Sequence, residues 1–397
     1  VKLSAKLNRE AWVLLSISGL HAFSFALSNV FVNVFLWKIK HDLLVIAWYN
    51  VAEHFATALT FIIAGWITKR VDRVVSIRIG VALQALFYLT VLMLGTKAID
   101  YAFILGLFLG VGSGFYWLSF NVLYFEISER DNRDAMNGAS GFISSLAGMI
   151  APITSGFLIT HVDDLLGYRI IFSISLAIFA LAVFVSFRLH LRRATGRFQL
   201  FPVLASSFNP HDDWFWIQWG TFFQGLREGI FLFLTGLLVY FVSNNELVLG
   251  SYLTLTSIVS LISYFILGKY LRPEWRMRAM LLACVMMGLL LLPFLYYWNT
   301  TTMMLYGAGL YLFYPYYYTA TLSTAYDMIG GHPSEVERRV EHVVAKELML
   351  NSGRLVSLFI FIAAYVQVPT LLTIKVLLFI FGFVQIVAWA LLRKIRT

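Results

Sequence analysis

The chain has 397 residues, of which 60% are hydrophobic and 13% charged, with a formal net charge of +9 and a mean hydropathy of +0.78. A soluble chain carries roughly a quarter of its residues as charge, so lipid rather than water is expected to cover most of this surface. The positive charge does not mark a nucleic-acid binder, because the basic residues are spread through short loops between apolar runs, where they set membrane orientation.

Twelve apolar segments are predicted, each near or above the ~20 residues that cross ~30 Å of hydrocarbon. They lie at roughly 11–37, 43–68, 75–96, 101–125, 136–160, 168–188, 214–243, 247–268, 277–298, 301–326, 343–367 and 369–392. The first is too long for a cleavable signal and is expected to be a span. It places Ser18, His21, Phe25 and Ser28 on one helix face, with Asn29 and Asn33 beside it. In span 2, Asn50, Glu53, Thr57 and Thr60 form a polar stripe, and His54 adjoins Glu53. A basic loop, GWITKRVDR, opens at Gly65 and contains Arg70, Asp72 and Arg73.

Span 4 holds Phe115-Tyr116-Trp117 ahead of Asn121, and span 5 carries spaced small residues around Pro152. The longest gap, 189–213, is basic and is expected to be a cytoplasmic linker between an N-terminal half, 1–188, and a C-terminal half, 214–397. Span 7 presents Thr221, Gln224, Glu228 and Thr235 on one face, with Arg227 on its flank. A second basic loop, GKYLRPEWR, opens at Gly268 and includes Arg272. The single cysteine, Cys284, is expected to be a packing residue. Asn299-Thr300-Thr301 forms a glycosylation sequon that matters only in a secretory-pathway host. Span 10 places Tyr316, Tyr317 and Tyr318 after Pro315, and span 11 aligns Glu347, Asn351 and Arg354.

Four polar faces are not tolerated by lipid, so they are expected to meet one another or a central cavity. There Arg227 and Arg354 can hold an anion through their donor forks. His21, Asn29, Trp117, Asn121, Gln224 and Tyr317 are further candidates for substrate contact, the aromatic groups by stacking. Glu53, His54 and Glu228 are candidates to carry a coupling proton. The competing account is that the carboxylates neutralise the arginines as interhelical ion pairs, the histidines are satisfied hydrogen-bonding residues, and the aromatics are core.

With both termini in the cytoplasm, 23 Lys and Arg fall inside and 5 outside, which fixes the expected topology. The halves repeat: Gly65 and Gly268 open equivalent loops 203 residues apart, and Glu126 and Asp327 close spans 4 and 10 at an offset of 201. Such parallel repeats are a transporter trait.

At these residues the chain resembles the major facilitator superfamily. Gly65, Arg70 and Arg73 match the family's signature loop after helix 2, while Lys69 replaces its Asp and Asp72 its second Gly. Ala147, Ala151, Pro152, Ser155 and Gly156 follow the spacing of the family's helix-5 exporter motif, and Gly167-Tyr168-Arg169 is similar to its Gly-Trp-Arg before helix 6. The usual helix-4 arginine is absent, with Gly110, Gly112 and Gly114 in its place. The resemblance implies an all-α membrane protein of twelve transmembrane helices in two pseudo-symmetric six-helix bundles. It also implies a cavity lined by helices 1, 4, 7 and 10, and gating loops at Gly65, Arg70, Asp72, Arg73, Gly268 and Arg272, with the missing latch Asp replaced by Asp72.

The expected function is secondary active transport of a small anionic or zwitterionic organic solute by alternating access, coupled to protons and favouring efflux. The chain is expected to work as a monomer in the plasma membrane. Alternatives are a lipid or lysolipid flippase, a non-transporting sensor on the same fold, and a membrane enzyme acting on lipids, for which no nucleophile–base set is found. No P-loop is present and no metal-ligand spacing occurs, so neither ATP, a metal nor another cofactor is expected.

Overall fold

The structure, a computed structural model, describes residues 7–127, 133–162, 164–191, 197–271, 273–331 and 338–395. The elements are helical. In chain order they are α1 (Arg9–Lys40), α2 (Leu43–Arg70), α3 (Arg73–Leu94), α4 (Ala102–Ile127), α5 (Arg133–His161), α6 (Asp164–Ser186) and α7 (Leu200–Ser206). Then follow α8 (Asp213–Ser243), α9 (Glu246–Tyr270), α10 (Arg276–Leu289), α11 (Leu291–Tyr296), α12 (Thr300–Gly331), α13 (Arg339–Gln367), α14 (Leu371–Phe383) and α15 (Gln385–Leu392).

Among the described residues, eleven helical stretches are long and apolar enough to cross a membrane. The twelfth expected span, α12, has 32 residues but includes seven tyrosines, which lower its hydropathy without shortening it. Two expected spans are each built from two helices. Pro293 lacks the N–H that the Leu289 carbonyl would need, so α10 stops and α11 restarts. Between α14 and α15, Gln385 Nε2 donates to the Gly382 carbonyl at 3.1 Å and the Cys284 carbonyl at 3.2 Å, inserting a side chain where the helical ladder breaks. The stretch expected to be a linker contains α7, whose preceding Gln199 N–H donates to Glu341 Oε1 at 2.9 Å.

Asn and Asp mark the helix ends. Asn8, Asp42, Asp72 and Asp212 accept backbone N–H bonds at the starts of α1, α2, α3 and α8. His41 and Asn244 end α1 and α8 in the left-handed region, at φ 55° and 50°.

The chain divides into two compact units: Val1–Phe198 with Asn245–Thr254, and Gln199–Asn244 with Leu255–Thr397. In the first, glycines let α4 lie directly on α2. A Cβ on Gly106 or Gly110 would stand 2.2 Å from the carbonyl oxygen of Tyr49 or Glu53, and one on Gly114 would stand 2.6 Å from Thr60 Cβ. Such small-residue spacing is how membrane helices gain close backbone packing. It also accords with the absent helix-4 arginine at Gly110 and Gly114, where a Cβ would meet α2 at under 3 Å.

In the second unit, α8 and α13 cross in the same manner. Cβ atoms on Gly225 and Gly353 would stand 2.0 Å from the Leu350 oxygen and 2.1 Å from the Phe222 oxygen.

Candidate functional site

Each unit carries its own buried polar cluster. In the first, His21 of α1 is buried and stacks on Tyr116 of α4, with ring centroids 3.6 Å apart and planes 3° from parallel. Phe25 lies 5.8 Å away on the other side, while Trp117 and Phe179 meet the imidazole edge-on at 5.5 and 5.6 Å. Phe120 extends the stack from Tyr116. The close approach depends on Gly80 of α3, where a Cβ would stand 2.5 Å from the Tyr116 nitrogen. Trp117 is 41% exposed, so the cluster presents an indole outward. His21 Nε2 is buried with no hydrogen-bond partner among the described residues.

The span-2 stripe is shared with its neighbours in the same unit. Asn50 Nδ2 donates to the Ile46 carbonyl at 2.8 Å and to Asn33 Oδ1 at 3.4 Å. Thr57 Oγ1 donates to the Glu53 carbonyl at 2.7 Å and the Gly110 carbonyl at 3.3 Å. His54 is buried and Glu53 half-buried. Asn29 and Asn121 are half-buried, and neither is joined to His21 by a hydrogen bond or ring contact.

In the second unit the two span arginines have different environments. Arg354 donates through Nη2 and Nε to Glu228 Oε2, at 2.6 and 3.1 Å. Gln224 Nε2 donates to the other oxygen, Oε1, at 2.8 Å, and Arg354 Nη1 reaches Asn351 Oδ1 at 3.2 Å. The glycine crossing sets this pair, because Glu228 lies between Gly225 and Gly229 on α8, and Arg354 follows Gly353 on α13.

Arg227 turns the other way. It is 6% exposed, and its guanidinium sits 4.4 Å over the Phe231 ring. Its Nε and Nη2 have no hydrogen-bond partner, and it forms no ion pair among the described residues. Tyr306 and Tyr317 of α12 bury hydroxyls that likewise lack partners there. Tyr317 also neighbours Tyr314, which stacks on Tyr318.

The expected gating loops differ in detail. Asp72 Oδ1 caps α3 by accepting the Val74 N–H at 2.7 Å. An ion pair at this loop joins Arg73 to Glu126, at 2.6 Å. Arg70 lies over Trp66 at 5.1 Å, Gly65 is buried, and Gly268 has open space around it. Arg272 lies outside the described residues. A second pair, Arg276 to Asp327 at 2.8 Å, joins the start of α10 to α12. It repeats Arg73–Glu126 at offsets of 203 and 201 residues.

A cluster missed in the sequence lies at the end of α1 away from the basic loops. Glu246, whose segment groups with the first unit, takes Lys38 Nζ at 2.5 Å and the Tyr168 hydroxyl at 3.1 Å on one oxygen. A Cβ on Gly156 would stand 2.5 Å from the Glu246 carbonyl oxygen, and one on Gly250 would stand 2.4 Å from the Pro152 oxygen. The small residues of span 5 are thus close-packing positions. The signal available in the sequence was Tyr168 within Gly167-Tyr168-Arg169, but nothing there named its partner.

Long apolar helices with charged groups buried inside them define an integral membrane protein of the transporter class. The family model described as Major Facilitator Superfamily matches residues 14–332. The chain is 41% identical over 355 residues to the uncharacterized protein YqgE of Bacillus subtilis (strain 168), covering 89% of this chain and 82% of that protein. It is 46% identical over 167 residues to the uncharacterized protein in the sodM 3'region of Geobacillus stearothermophilus, covering 42% of this chain and 78% of that protein. Among solved structures, a bacterial homologue of the iron transporter ferroportin in its outward-facing state with soaked iron superposes with a TM-score of 0.66 at 18% identity. That match covers 98% of this chain and 99% of the other. A D-xylose-proton symporter gives 0.71 at 11% identity, with 97% of each chain covered. The chain belongs to the Major Facilitator Superfamily. It is therefore a multi-pass membrane transporter and not an enzyme, with the all-helical, two-bundle fold of that family.

Proposed function

We propose that the chain moves a small anionic or zwitterionic organic solute across the plasma membrane by alternating access, coupled to protons. The observation that supports this is Arg227. A guanidinium buried in a span, with two nitrogens lacking protein partners among the described residues, is costly to keep unless a ligand or water completes it. Its planar donor fork suits a carboxylate or phosphate. Tyr306 and Tyr317 offer further donors in the same unit. The indole of Trp117, 41% exposed at the edge of the His21–Tyr116 stack, suits an organic ring or cation.

Proton coupling is assigned to Glu228. Protonation would cancel its charge against Arg354 and free that arginine, giving a two-state element of the kind transport requires. Glu53 and His54 are the secondary candidates. The basic bias supports cytoplasmic placement of both termini. The proposed bundles are 1–188 and 214–397, joined by 189–213, and the working unit is a monomer. Efflux is the proposed direction, on the span-5 resemblance.

The test is a thermal-stabilisation screen of the purified protein against organic anions, cations and neutral solutes, run in parallel on Arg227→Gln. Anions should stabilise the wild type and not the variant. Stabilisation of both proteins by the same cations or neutral solutes, with none by anions, overturns the substrate class. Hits are then followed in proteoliposomes with an imposed pH gradient, where Glu228→Gln should remove the response to the gradient.

A further inference from the structure

A cavity of about 310 Å³ lies in the first unit between the start of α1 and the end of α6, lined by Arg9, Trp12, Val13, Ser16, Val185 and Arg188. We propose that it binds the headgroup and glycerol root of an anionic phospholipid. This assignment does not depend on what the protein transports.

The four α1 residues fall at i, i+3, i+4 and i+7, so they form one stripe along two turns. From Arg9 to Ser16 the helix rises about 10 Å. The outer end of the groove therefore carries two guanidinium groups, and the inner end carries Val13 and Val185. Ser16 does not add a free polar group there, because its hydroxyl donates to the Trp12 carbonyl at 2.8 Å. A site with cations at one end and aliphatic walls at the other fits an amphiphile better than a free anion. Its size falls at the low end of small-ligand sites, roughly 300–1,000 Å³. Trp12 is 41% exposed, as suits an indole at the headgroup level.

Both arginines are available. They are exposed, and neither enters an ion pair among the described residues. Two carbonyls at and just beyond the end of α6 are already taken by another arginine. Arg78 donates to the Ser186 carbonyl at 3.3 Å and to the Leu189 carbonyl at 3.1 Å. The nearby acid, Glu10, is not among the lining residues and pairs with His190 at 3.0 Å. Basic pockets at helix ends are a recurrent way of holding anionic headgroups.

The experiment is native mass spectrometry of the full chain in neutral detergent, titrated with dioctanoylphosphatidylglycerol, dioctanoylphosphatidylcholine and sn-glycerol 3-phosphate. The phosphatidylglycerol should bind at least tenfold more tightly than either of the others. Arg9→Gln with Arg188→Gln should weaken it about 30-fold, the product of about fivefold per cation. Ser16→Phe keeps both charges and fills the groove, so it should also abolish retention; this variant decides the matter where the double variant is poorly folded. Arg393→Gln with Lys394→Gln lowers charge elsewhere and should leave binding unchanged. Equal retention of the two lipids, or unaltered binding in Ser16→Phe, overturns the site. Equal binding of glycerol phosphate makes it a soluble-anion site, and an equal loss in the Arg393/Lys394 variant makes the effect general surface charge; either result overturns the proposal.

Discussion

Replacing Glu228 by Gln keeps the side-chain shape but leaves the half-buried Arg354 without its counter-charge. Two guanidinium nitrogens lose an ionised acceptor, and the new amide must face either Gln224 or Arg354 with its own donors. Breaking a buried pair costs about 3–5 kcal/mol in soluble proteins. Polar contacts between membrane helices average about 0.6 and reach about 1.7 kcal/mol, since the unfolded chain in lipid also finds partners. A charged, doubly donated pair with a third partner belongs between these ranges, at about 2–3 kcal/mol. Arg354→Gln should cost a similar amount, because it leaves the carboxylate instead. The double variant removes both charges and should be less destabilised than the sum of the singles by at least about 1 kcal/mol. Steric-trapping measurements of unfolding free energy in bicelles provide the cycle. If the single effects add to within about 0.5 kcal/mol, the pair is not coupled and the argument fails.

The glycine crossings make a sharper steric prediction. Gly225→Ala should destabilise the second unit by about 1–3 kcal/mol, as overpacking does, whereas Gly268→Ala should be neutral or stabilising by up to about 1 kcal/mol in the same measurement, since only helix propensity changes there. The two repeated ion pairs should differ. Glu126→Gln breaks a pair whose carboxylate side chain is 11% exposed and should lower the melting temperature measurably. Asp327→Asn, at 63% exposure, should change it by no more than a surface pair does. Gly114→Arg, which restores a cation to α4, should prevent folded protein from accumulating, read as loss of the monodisperse peak in size-exclusion chromatography, because Thr60 stands where the side chain must start.

Length and hydropathy made most spans legible, since about 20 apolar residues have few other uses. The helix starts after Asp42 and Asp212 are set by side-chain caps that hydropathy alone does not locate. The broken span at Leu290 has a local cause in Pro293, but the break at Val384 depends on Gln385 reaching Gly382 and Cys284, which no local pattern encodes. Gly110 and Gly114 stood out in the sequence but their partner did not; it is α2, more than 50 residues earlier. The polar faces of α8 and α13 were readable from periodicity. An interhelical ion pair was one of two accounts left open there, but which arginine Glu228 would face was not readable. Arg227 and Glu228 adjoin in sequence, yet successive helix positions point about 100° apart. Glu228 therefore faces Arg354 across the glycine crossing while Arg227 folds back on Phe231.

The seven tyrosines of α12 also bear on how the chain is made. A segment whose hydropathy is lowered this far gains little by partitioning from the translocon alone. The preceding stretch, Arg276–Tyr296, is strongly apolar and is joined to α12 by only a few residues, and the two pack together in the finished unit. Entry into the bilayer as half of a hairpin with that neighbour would shield its phenols. Biogenesis of this half then depends on synthesis order: circular permutation that separates α10 from α12 would strand the tyrosine helix in water even though every residue of the folded state is still encoded.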